Sequence, residues 1–148
     1  MGELARDMLG AMSDVLDRLQ AAPGIYWGHG DGLESGPFVG RVEVELLLNA
    51  VMLHYEAHGT DGLQHVEHTL LARGSRGLEL HALIDTRQEV MTFSEREPGV
   101  FRLDASVDMR ILIEVAKPGV LSYAWWWAPP GDDVIERSKL VAHLGARS

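Results

Sequence analysis

Seven histidines are the residues of this chain best suited to hold a metal ion or move a proton near neutral pH: His29, His54, His58, His65, His68, His81 and His143. Their spacing decides what they can do. His54 and His58 are four residues apart, which shares a ligand on a helix but spans about 13 Å on a strand. His65 and His68 differ in parity and point to opposite faces of a strand. A shared metal would need histidines from neighbouring strands, such as His54, His68 and His81, and no metal site is predicted. His54-Tyr55-Glu56 has the H-x-E order of zinc deaminases, but that chemistry needs a cysteine pair and the chain has no cysteine. No H-E-x-x-H pair and no G-x-S-x-G elbow occurs. Gly28-His29-Gly30-Asp31-Gly32 is glycine-rich but opens no helix, so it is neither a P-loop nor a dinucleotide fingerprint.

Trp125-Trp126-Trp127, preceded by Tyr123, is the least ordinary segment. On a strand, Trp126 faces away from Trp125 and Trp127. One face lines a core or cavity. The other is an apolar outer patch that needs a cover, either the N-terminal helix or a second copy of the chain. A homodimer through the Trp125/Trp127 face is therefore one expected arrangement. Ligand stacking inside is another.

The elements that must carry these residues follow from periodicity. Leu4, Met8, Met12, Val15, Leu16 and Leu19 recur at spacings of three and four, and Pro23-Gly24 closes the pattern. This predicts an amphipathic helix over 1–22. From Gly24 the period becomes two. About ten short strands are predicted, over 24–30, 37–48, 51–58, 63–73, 77–85, 88–95, 99–104, 107–116, 119–128 and 132–143. Asp31-Gly32, Asp61-Gly62, Pro98-Gly99 and Pro118-Gly119 supply the turns between them. Val42, Val44 and Leu46 form one clean apolar face, and Val107, Met109, Ile111, Ile113 and Val115 another. His65, Glu67 and Thr69 oppose Val66, His68 and Leu70, and parity alone does not say which set faces inward. Short connections imply consecutive antiparallel neighbours. The expected fold is all-β: an up-and-down antiparallel barrel with one N-terminal α-helix, forming a single domain over 1–148 with its barrel at 24–143. Ten strands enclose more space than side chains alone fill.

Composition narrows the partners. The chain has 13 Lys and Arg against 22 Asp and Glu, a net charge of −9. It lacks the basic field that nucleic acid or an anionic membrane requires, so neither is an expected partner. Nothing approaches a run of about 18 apolar residues. Met1 to Asp7 carries Glu3, Arg6 and Asp7 with no apolar stretch after it, and a cytoplasmic location is expected.

Gly24-Ile25-Tyr26-Trp27-Gly28-His29-Gly30 resembles the G-x-W-x-G-x-G opening strand of calycin-type small barrels, with Tyr26 at the aromatic place and His29 where Glu is frequent. The order of one helix and about ten meandering strands is similar to the same superfamily, in particular its nitrobindin-like and lipocalin-like bacterial members. That resemblance implies a ligand-binding barrel. Nitrobindins bind haem through a histidine near the start of the last strand. Counting forward from Leu121-Ser122-Tyr123 puts Arg137 at that place, and His143 falls near the strand's end. A guanidinium has no lone pair for iron, whereas it suits a carboxylate or other anionic head group, as the likeness to fatty-acid-binding barrels would imply. The residues require no cofactor; the nitrobindin likeness would admit haem, with His143 as its candidate ligand.

The expected function is binding of a small, largely hydrophobic ligand, with an anionic head group, in the barrel cavity. The candidate ligand-binding residues are Tyr26, His54, His68, His81, Trp126 and Arg137. The alternatives are an isomerase, cyclase or hydrolase using a cavity lined by His, Glu and Arg, and a haem-binding protein. No catalytic motif is present to name catalytic residues.

Overall fold

Alternation of buried and exposed side chains begins at Gly24 and runs, with short breaks, to Leu144. In the computed structural model, which describes residues 13–85 and 87–145, these segments form one closed antiparallel barrel. A short helix α1 (Val15–Gln20) precedes it. The strands are β1 (Gly24–Gly32), β2 (Gly36–Leu46), β3 (Ala50–Gly59), β4 (Gly62–Gly74), β5 (Gly77–Ile84), β6 (Glu89–Glu97), β7 (Val100–Leu103), β8 (Met109–Lys117), β9 (Val120–Trp127) and β10 (Ile135–Leu144). Each strand pairs with the next in the chain, and β1 pairs with β10 to close the ring. The expected all-β, ten-stranded up-and-down barrel is the observed fold. Of the helix expected over 1–22, Val15–Gln20 is helical, while Leu4, Met8 and Met12 lie outside the described residues.

The closing seam explains the glycines of the first strand. Gly28 lies opposite Ala142 of β10 and Gly40 of β2. A Cβ on Gly28 would overlap the backbone of Val141 and Ala142, and one on Gly30 would overlap the ring of Phe38. Only glycine lets the three strands approach this closely. Elsewhere, Gly99 and Gly119 hold φ of 77° and 83° directly after prolines, as a Pro-Gly turn needs.

α1 stoppers one end of the barrel. Asp14 accepts from the backbone of Asp17 while the Asp17 side chain accepts from the backbone of Asp14, a capping box. Val15, Leu16 and Leu19 are buried and pack toward β3 and β8. Arg73 of β4 donates to both Asp14 and Asp17, at 2.6 Å and 2.9 Å, and Arg18 donates to the Val115 carbonyl at 3.0 Å. Burial alone would raise the Asp14 carboxyl, but the Arg73 guanidinium and the Asp17 backbone hold it below the usual carboxylate range. Next to the helix, the interior is packed solid with Leu71, Leu80, Phe101, Ile113 and Leu121, all buried. No helix among the described residues is long and apolar enough to cross a membrane.

Candidate functional site

On β4 the residues His65, Glu67 and Thr69 alternate onto the inner face, and Glu67 and Thr69 are each 0% exposed. A buried carboxylate survives only if its lone pairs are satisfied. Glu67 has four donors. Oε1 accepts from His65 Nε2 at 2.7 Å and from Trp125 Nε1 at 2.8 Å. Oε2 accepts from the Tyr123 hydroxyl at 2.6 Å and from Thr69 Oγ1 at 3.2 Å. Tyr123 and Trp125 sit on β9, which faces β4 across the ring. The network is therefore a polar bar spanning the barrel from wall to wall.

The bar divides the interior. On its helix side lies the packed core. On its other side a cavity of about 390 Å³ opens between the β1–β2, β5–β6 and β9–β10 turns. Its wall is largely apolar and aromatic: Phe38, Tyr55, Ile84, Met109, Trp125 and Trp127. His65 stands at the floor, edge-on to Tyr55 at 5.5 Å and to Trp125 at 6.4 Å between ring centres. Burial, and then the charge of Glu67, push the hydroxyls of Tyr55 and Tyr123 far above the ordinary phenol range. Both phenols thus stay protonated beside the carboxylate.

Arg137 is at the mouth. A bulge between Glu136 and Ser138 interrupts the pairing of β10 with β9, and both Arg137 and Ser138 line the cavity. The guanidinium lies 4.7 Å from the Trp127 ring centre, and Nε donates to the Trp127 carbonyl at 3.0 Å. Its nearest carboxylate, Glu34, is 3.8 Å away and mostly exposed, while the Arg137 side chain is 16% exposed. The cation is thus fixed in direction, with its terminal nitrogens free of any short ion pair among the described residues.

The structure distributes the six residues expected to bind ligand very differently. Arg137 lines the cavity. Tyr26 points inward but on the helix side of the bar, where its hydroxyl donates to the Ala22 carbonyl at 2.6 Å. His54, His68 and His81 are on the outer wall. His54 and His68 face each other across β3 and β4, their Nδ1 atoms 2.9 Å apart, and His54 Nε2 meets Glu45 at 2.9 Å. His81 bonds Thr92 and meets Glu79. Trp126 is on the outer wall between Arg110 and Glu136, its Nε1 buried and without a partner among the described residues. His143 is exposed on the outside of β10. Trp125 and Trp127 turn into the cavity. No cluster of three or more potential metal ligands occurs among the described residues.

His65, Glu67 and Tyr55 are site residues outside the six expected to bind ligand, although His65 is among the histidines weighed as metal ligands. A signal for them existed. Tyr123 and Trp125, two polar-tipped aromatics on one face of one strand, require buried acceptors, and Glu67 is a carboxylate on a strand face of otherwise uncertain direction.

No known family model and no curated protein matches the chain.

Proposed function

We propose that this chain is a calycin-like carrier barrel that binds a small, largely apolar ligand with an anionic group, body in the cavity and anion at Arg137. One observation carries this reading: an aromatic and aliphatic cavity of about 390 Å³ with an oriented guanidinium at its mouth. That volume falls within the range of about 300–1,000 Å³ common for small-molecule sites. Burial of the ligand's apolar body supplies affinity at about 25 cal/mol per Å². Arg137 fixes orientation, because its planar fork matches a carboxylate or sulfonate.

Native mass spectrometry of gently purified protein, recorded before and after denaturation, tests this directly. A released small molecule supports the carrier reading, and its mass narrows the chemistry. In parallel, anilinonaphthalene sulfonate is expected to bind with quenching of tryptophan fluorescence, and Arg137→Gln to weaken it by about tenfold. A clean apo mass together with no uptake of the dye overturns the reading.

The His65–Glu67 pair favours a second reading, acid–base catalysis on the same ligand, since a carboxylate that orients an imidazole is the usual support of a histidine base. Conversion of the released molecule by fresh protein, rather than simple rebinding, would identify it.

A further inference from the structure

The bar fixes more than the position of His65. Glu67 is fully enclosed and takes two donors on each oxygen. The Trp125 indole can only donate, and the hydroxyls of Tyr123 and Thr69 donate as well, an arrangement that suits an ionised carboxylate without counting His65. With Glu67 as the acceptor, His65 Nε2 carries the hydrogen that the two share. In the neutral imidazole, Nδ1 then bears the lone pair. Nδ1 has no hydrogen-bond partner among the described residues, and it is not among the buried atoms that lack one. His65 lines the cavity floor. Its lone pair therefore opens onto the space that the ligand would fill.

We infer that His65 Nδ1 is the floor acceptor of this cavity and selects ligands that bury a hydroxyl or N–H donor at the end opposite their acid. The inference rests on the cavity reading above and sharpens it to a ligand class: hydroxylated, and especially phenolic, aromatic or aliphatic acids. Among the other polar groups near the floor, Tyr55 also lines the cavity, and the His65→Phe variant below separates its part from that of His65. Tyr123 and Trp125 are already committed to Glu67. A ligand without a donor leaves the imidazole lone pair desolvated and unpaired, which costs affinity without adding a contact.

The experiment compares three probes of one shape by calorimetry at about pH 8, where imidazole is ordinarily neutral. These are p-coumarate, which has a phenolic donor, p-methoxycinnamate, which keeps the oxygen but not the donor, and cinnamate, which has neither. The wild-type protein is expected to bind p-coumarate about tenfold more tightly than the other two, the size of one net hydrogen bond. His65→Phe keeps ring bulk beside Tyr55 and Trp125 and leaves Glu67 three donors; in it the preference is expected to vanish. If that variant does not fold, the Nδ1 NMR resonance of His65 in the wild type is expected to shift with p-coumarate and to stay with cinnamate. Equal binding of the three probes overturns the inference and leaves the cavity reading standing. A preference that survives in His65→Phe also overturns it, since the acceptor is then another group. Failure of all three probes to bind removes the cavity reading for this class of acid, and the inference with it.

Discussion

Tyr123 and Glu67 sit on strands that face each other across the ring, and the phenol donates to the carboxylate at 2.6 Å. Neither residue touches a neighbouring strand to make this bond. The contact ties two walls of the barrel together through its middle, with Trp125 and His65 doubling it on the other carboxylate oxygen. Glu67→Ala would strand four side-chain donors around a void. The expected loss is about 3–5 kcal/mol. Glu67→Gln is expected to cost less, because the hydroxyls of Tyr123 and Thr69 can turn and accept from the new amide. Denaturant unfolding of the two variants checks both the size and the order of the effects.

The chain has three tyrosines, and burial pushes the hydroxyl of each of them up, with the charge of Glu67 adding to the effect at Tyr55 and Tyr123. The sign for stability follows. In the unfolded chain, phenols release their protons near pH 10, while the native chain holds them. This contribution is fully present below about pH 10 and is lost as pH rises above it. The native protein is expected to show no tyrosinate absorbance until it unfolds, so absorbance and circular dichroism should change together. A distinct early step of tyrosinate in still-folded protein would contradict the placement of at least one ring.

Much of this fold is readable from residue order, and the reasons are local. Strand and turn signals lie within a few residues of each other, as in Pro98-Gly99 and Pro118-Gly119. The G-x-x-x-G-x-G spacing of Gly24, Gly28 and Gly30 marks the strand where the ring closes. The site is less legible. On β4 the usual rule is inverted, since Val66 and Leu70 face out while His65, Glu67 and Thr69 face in. That inversion is stable only because Tyr123 and Trp125 arrive from 56 and 58 residues away. Pairing across a ring leaves no mark in local periodicity. The inward turn of Arg137 depends on a bulge at Glu136 and Ser138, which alternation also does not reveal. By contrast, His54, His68 and His81 attract attention by residue type alone, and their partners are neighbours on the outer wall.

Gly28→Ala is expected to be far more damaging than an ordinary glycine replacement in a strand. The added methyl meets backbone atoms of Val141 and Ala142, which cannot rotate away as a side chain would. The strands must separate at the point of closure, with an expected loss of about 3 kcal/mol or failure to fold. Gly62→Ala is the informative comparison. Its Cβ meets nothing within 4 Å, but its φ of 104° disfavours alanine, so it reports backbone strain alone. Thermal melts of the two variants separate steric overlap from conformational cost.

The helix stopper carries its own acid limit. Asp14 is held below the usual carboxylate range by Arg73 and the Asp17 backbone, against the opposing effect of burial. A depressed carboxyl contributes stability above its unfolded value near pH 4, and loses it as pH falls through the folded value. Asp14→Ala is expected to cost about 1 kcal/mol at neutral pH, as other N-cap losses do. The difference between variant and wild type should shrink below about pH 4. A difference that stays constant into acid would mean that the ion pair with Arg73 adds nothing.

The pairing of β1 with β10 also sets the order in which the protein can assemble. Nine of the ten ladders join consecutive strands, each a hairpin that can form from nearby chain. The tenth pairs Tyr26 with Leu144 and must bring distant segments together after the others exist. Until that step the sheet is an open ribbon without an interior, and the cavity has no walls. The proposed ligand would therefore find its site only after the ring has closed. Under the carrier proposal, ligand is expected to slow opening of the finished ring, so occupancy should appear as kinetic persistence against unfolding rather than as faster folding.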